Sequence, residues 1–128
     1  MVTYPVKIKI ASSGGNISAL IAVENTSSSV IYVESSKVGL TPGLFLNNFK
    51  VSVEGQKVPF TGPVFKLPPP GPDGYVSIAP GQTQTFQFKH LEKYYAFIEG
   101  THRYLISFRC ISSHPEGKGL ICLESEAA

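Results

Sequence analysis

The side chains able to do acid–base, nucleophilic or metal chemistry are few and far apart. The three histidines are His90, His102 and His114, and none has a second His or Cys at the short spacings that zinc sites use. His90-Leu91-Glu92-Lys93-Tyr94 lacks the second histidine of an HExxH helix, so these read as surface or turn histidines. A Cys nucleophile would need Cys110 or Cys122 beside a histidine and in a setting that depresses its pKa. Alternation along the chain turns Cys110 inward, and no neighbour in sequence activates it. The two thiols could instead close a C-terminal loop as a disulfide, worth about 3 kcal/mol in the chain-entropy model. Two buried free thiols acting as small hydrophobes is the preferred reading. The acidic residues, from Glu24 to Glu126, show no pairing that suggests general acid–base work, and no Gly-rich loop links a strand to a helix. The expectation is a non-enzymatic chain with no cofactor and no bound metal.

Composition narrows the class. At 128 residues the chain fits one domain, and 42% hydrophobic residues suffice for a two-layer core. Charged residues reach only 16%, below the roughly 25% usual for soluble domains. Ser, Thr, Gly and Pro take their place, which suits short strands and turns. The net charge is +2, and the basic residues are dispersed rather than gathered into one block. No nucleic-acid partner is therefore expected. No stretch approaches the ~20 apolar residues of a membrane-spanning helix. Met1–Lys7 lacks a basic segment followed by an apolar one, so a cytoplasmic protein or a mature secreted form is expected. The sequons Asn16-Ile17-Ser18 and Asn25-Thr26-Ser27 matter only on a secretory route.

Period-2 alternation is the dominant pattern, and it marks strands. It runs through Val6-Lys7-Ile8-Lys9-Ile10, Phe49-Lys50-Val51-Ser52-Val53, Thr83 to Lys89, and Tyr104 to Cys110. Ile17 to Val23 is apolar on both faces, as a central strand would be. Val30 to Glu34, Lys57 to Phe60, Val64 to Leu67 and Tyr75 to Ile78 supply shorter strands. His90 to Tyr95 allows one helical turn at most. The expected fold is all-β: an antiparallel immunoglobulin-like β-sandwich of about eight short strands, with strands over about 4–111 and an irregular tail at 112–128.

Two regions could form a contact surface. Tyr94, Tyr95 and Phe97 sit outside the expected strands, and tyrosine suits interfaces because one end is apolar and the other polar. The alternative, and the preferred one, is that these rings plug the end of the sandwich. The second region is Leu67-Pro68-Pro69-Pro70-Gly71-Pro72-Asp73-Gly74, with Tyr75 at its end. Proline removes donors and fixes φ, so this is an exposed loop in polyproline-like conformation. Pro69 and Pro70 could serve as a ligand for an aromatic groove, although such loops are commonly plain connections.

Several pieces recur in a fixed order: Val23-Glu24-Asn25-Thr26, Phe49 to Gly55, Val58-Pro59-Phe60-Thr61-Gly62, Ala79-Pro80-Gly81-Gln82, Leu91 with Tyr94-Tyr95-Ala96-Phe97, and Gly100 before Tyr104. In these, from Val6 to about Phe108, the chain resembles the amino-terminal propeptide domain of the deuterolysin and peptidyl-Lys metalloendopeptidase family, fungal-type zinc proteases. The resemblance implies an immunoglobulin-like scaffold that assists folding of a protease or holds it inactive. These 128 residues contain no HExxH, so no protease residue carries over. The expected function is a non-catalytic binding module, a free-standing pro-domain-like protease-binding or inhibitory protein, in a fungal defence role. Leu67–Gly74 or Thr41–Leu46 would be the inhibitory loop. The alternative is a lectin on a β-sandwich, with a tyrosine stacked on sugar. The expected partner is accordingly a metalloprotease-like protein or a glycan, and an exposed sheet edge would allow a homo-oligomer.

Overall fold

The computed structural model describes residues 1–41, 44–68, 70–98, 102–117 and 119–127. Among these the protein is all-β, with strands β1 (Val2–Ser13), β2 (Asn16–Glu24), β3 (Ile31–Glu34), β4 (Phe49–Val53), β5 (Gln56–Val58), β6 (Tyr75–Ile78), β7 (Thr83–Phe88), β8 (Tyr104–Ser112) and β9 (Ile121–Ser125). Single 3-10 turns occupy Ser35–Val38 and Leu91–Lys93. Seven strands join in the order β5-β4-β8-β9-β1-β2-β7, and β3 pairs with β6 separately.

The tight hairpins follow from their turn residues. Gly14 (φ 57°) and Gly15 (φ 86°) link β1 to β2, and Glu54 (φ 49°) and Gly55 (φ 78°) link β4 to β5. Two successive positive φ angles give the turn whose twist matches paired strands. β1 has a double role. It runs antiparallel to β2 over Val6–Ser13 and parallel to β9 over Val2–Val6. The large sheet is therefore mixed rather than purely antiparallel. The tail expected to be irregular contains β9, because Cys122 and Leu123 are buried where that strand lies between β8 and β1. Val64–Leu67 forms no strand.

The inward residues are those the alternation marks: Phe49, Val51 and Val53 on β4, Phe86 and Phe88 on β7, and Ile106, Phe108 and Cys110 on β8. On β2, Ala19, Ile21 and Val23 are buried while Leu20 is exposed, so only one face of this strand is covered. Phe88 meets Phe49 at 5.0 Å and Phe108 at 5.6 Å between ring centroids. β7 closes one end of the strand order and β4 lies next to the other. These contacts therefore require the sheet to curl until its two parts share one core.

Candidate binding surface

Within the Tyr94–Phe97 segment Tyr95 lies in the core, and Tyr94 and Phe97 pack against it. Tyr95 is only 2% exposed. Its hydroxyl accepts from the Phe49 N–H at 3.1 Å and lies 3.0 Å from Asn47 Oδ1, to which it can donate. Burial pushes this phenol up to about 12, partly offset by the Phe49 hydrogen bond. Tyr94 stacks on Phe45 with ring centroids 4.0 Å apart, and Phe97 meets Tyr104 edge-on at 4.9 Å. These rings pack on one another and on the core. Tyr95 is thereby removed from the candidate contacts, while Tyr94 and Phe97 are half-buried. Their burial depends on Phe45, Phe49, Phe60 and Tyr104 arriving from other segments, so local sequence could not reveal it.

Tyr75 is half-buried, with its hydroxyl 2.8 Å from Ser113 Oγ. It belongs to a polar cluster joining β3, β6 and the end of β8. Glu34, though buried, accepts from the Ser113 N–H at 2.8 Å and pairs with Lys37 Nζ at 3.1 Å. The Glu34 N–H donates to Ser112 Oγ at 2.9 Å. Lys37 also donates to the carbonyl of Ile111.

Cys110 and Cys122 are both free and buried. In the β8–β9 register Cys110 faces Leu123 while Cys122 faces Ile111, so the two thiols project from opposite faces of the sheet. No bridge forms between them, because the Cβ vectors point apart. Burial pushes Cys110 up to about 12, with Lys37 pulling the other way, so it is a packing residue and a poor nucleophile.

The three histidines meet different neighbours. His114 meets Tyr32 edge-on at 5.0 Å, and His102 lies 6.2 Å from the Tyr104 ring. His90 adopts φ 60° and places Nδ1 3.2 Å from Glu92. Burial pushes the Glu92 carboxyl up, but hydrogen bonds from the Ile17 N–H, its own N–H and His90 outweigh it and hold the group below its usual range. Among the described residues no three His, Cys, Asp or Glu side chains come together to hold a metal. Nor is any helix there long and apolar enough to cross a membrane.

The connection from Thr61 to Asp73 is different in kind. It carries Val64, 93% exposed, with Phe65 at 40% and Leu67 at 39%. Both of its roots are fixed. The Thr61 N–H donates to the Tyr94 carbonyl at 2.7 Å, and Phe60 bridges to Tyr95. At the other root the Gly74 N–H donates to Gly71 O at 2.9 Å, while the Gly74 carbonyl accepts from Ser35. The glycines there are required by space: a Cβ on Gly62 would come within 2.7 Å of the Phe60 ring, and one on Gly74 within 2.8 Å of Pro70. Pro70 is half-buried against this root, whereas Pro69 lies outside the described residues, as do Pro42 and Gly43 of the other loop considered and Gly100. The sequence reading placed the loop's interest in Pro69 and Pro70. The exposed apolar residues stand just before them, and Pro63-Val64-Phe65 was the available signal. No protein-family model and no curated protein matches the chain.

Proposed function

We propose that this protein is a non-catalytic binding module whose contact element is the Thr61–Asp73 loop, and that its partner is a protease of the metalloendopeptidase type, engaged as a pro-domain engages it. One observation carries the reading. Val64 stands almost wholly in water, with Phe65 and Leu67 partly exposed beside it, on a connection anchored at both roots and stiffened by Pro63, Pro68, Pro70 and Pro72. Leaving apolar area of three neighbouring residues in water is costly; burying an exposed side chain such as Val64 returns roughly 1.5–3 kcal/mol, and the partly covered Phe65 and Leu67 return less. Pre-setting the loop lowers the ordering cost on binding. The scaffold in this reading is an immunoglobulin-like sandwich. Its support is the strand that pairs with β9 on one side and β2 on the other, together with the β4–β7 aromatic contacts across the core. The pro-domain likeness rests on the ordered pieces quoted above, and Val58-Pro59-Phe60-Thr61-Gly62 among them forms the root of this loop.

The test is titration of the purified protein into a deuterolysin-type protease, with a glycan array run on the same preparation. Inhibition saturating at one module per protease is expected. Phe65→Asp should weaken it at least tenfold, the cost of one lost apolar anchor. Inhibition unchanged in both Val64→Asp and Phe65→Asp would refute the loop. A specific glycan bound without any inhibition would replace the protease reading with a lectin.

A further inference from the structure

The outer face of the β5-β4-β8-β9 strands carries a line of cations that no described core or turn contact uses. Lys50 on β4 lies opposite Ser107 on β8, and Arg109 is two residues further along β8 on the same face. Lys57 on β5 lies opposite Ser52, two residues along β4 from Lys50 in the other direction. Lys57, Lys50 and Arg109 therefore form a straight diagonal across three strands, with steps of roughly 7–8 Å. All three side chains are exposed. Among the described residues only Arg109 of the three has an ion-pair partner, Glu124 at 3.6 Å. Leu105, 55% exposed and opposite Ser52, adds one apolar contact to this face.

The charge balance sets this face apart. Lys57, Lys50 and Arg109 stand on it against Glu124, a local excess of positive charge. The same residues line a surface concavity of about 560 Å³ that reaches Phe60, at the root of the apolar loop.

We infer that this face docks an extended acidic segment of the partner protein, with carboxylates at alternate positions. Alternate side chains of an extended chain point the same way and repeat every ~6.6 Å, close to the step of the cation diagonal. A peptide with successive acids would direct half its carboxylates away. The inference rests on the binding-module reading for the class of partner, while the face can be tested without any protease. A labelled peptide alternating Glu and Thr is titrated by anisotropy at ~20 mM salt and again at ~150 mM, alongside one of the same composition with its Glu residues in a block. The alternating peptide should bind at least threefold more tightly, and the higher salt should weaken it. Lys50→Glu should reduce its affinity tenfold or more, whereas Lys7→Glu on β1 leaves it unchanged. Equal affinity for the two peptides, indifference to Lys50→Glu, or no binding at about 1 mM peptide would overturn the inference. So would tighter binding of a single-stranded oligonucleotide or a sulfated oligosaccharide of equal charge. If the peptide binds as expected and no protease is inhibited, the acidic site stands and the protease reading fails.

Discussion

Around Phe45, Phe49, Phe88, Tyr94, Tyr95 and Phe108, the protein joins its parts with stacked and edge-on rings, and the Tyr95 hydroxyl among them accepts from the Phe49 N–H. Where β3 and β6 meet the end of β8, it uses directed hydrogen bonds instead: Glu34 to Ser113 and Lys37, the Glu34 N–H to Ser112, and Tyr75 to Ser113. Ring packing is non-directional and tolerates small shifts, so it can fill the space between strands that do not pair. A polar cluster tolerates few, because each buried group left without a partner costs free energy. The two-stranded β3–β6 unit sends Ile31, Val33 and Ile78 into the core, and the bonds around Glu34 fix its end against β8.

The sharpest way to break this contrast is to remove one member of each region. Phe108 is fully buried and touches both Phe49 and Phe88. Phe108→Ala should destabilise the protein by about 3–5 kcal/mol, read from the midpoint of urea unfolding, because the curled sheet cannot collapse around the space left. Glu34→Ala should cost somewhat less, about 2–3 kcal/mol, since it strands the Ser113 N–H and removes the partner of Lys37. Glu34→Gln keeps an acceptor and should recover part of that loss. If Glu34→Ala proved costlier than Phe108→Ala, or if Glu34→Gln recovered nothing, the division of labour would be wrong.

These regions were unequally legible in the sequence. Phe49-Lys50-Val51-Ser52-Val53 and Tyr104 to Cys110 announce their inward faces by alternation, a local signal that packing then uses unchanged. The polar cluster has little local signal beyond the Glu34–Lys37 spacing: Glu34 and Ser113 are 79 residues apart, and either alone looks like an ordinary surface residue. β9 was missed because a short Ile121-Cys122-Leu123 run in a polar tail becomes a strand only through pairing with β8 and with the distant start of β1. The apolar loop misled in the opposite sense. Val64–Leu67 has strand-like residues, yet no strand pairs with it, so Val64 stays in water and Phe65 and Leu67 stay partly exposed. The cation diagonal was scattered in sequence and aligned only by register, which is why dispersed lysines and arginines gave no hint of a face.

Alkaline unfolding sharpens the comparison, because each region holds one acid whose proton the fold retains. Cys110, beside Lys37 and Glu34, is raised from 9.0 to about 12, and Tyr95, among the rings, from 10.0 to about 12. For both, the raised value means that the folded state keeps the neutral form while the unfolded chain releases the proton. The unfolded state then binds fewer protons, so stability falls as pH rises above the unfolded pKa, until the folded group also ionises near 12. Each group contributes at most about 1.4 kcal/mol per pH unit, so the decline should begin near pH 9 and steepen above pH 10. Cys110→Ala should remove the early part of the decline and Tyr95→Phe the later part, whatever either substitution does to stability at neutral pH. Urea midpoints recorded from pH 8 to about pH 11 measure both slopes. A curve that stays flat across that range would mean that neither thiol nor phenol is held away from water, and a decline lost in neither variant would place the titrating group elsewhere.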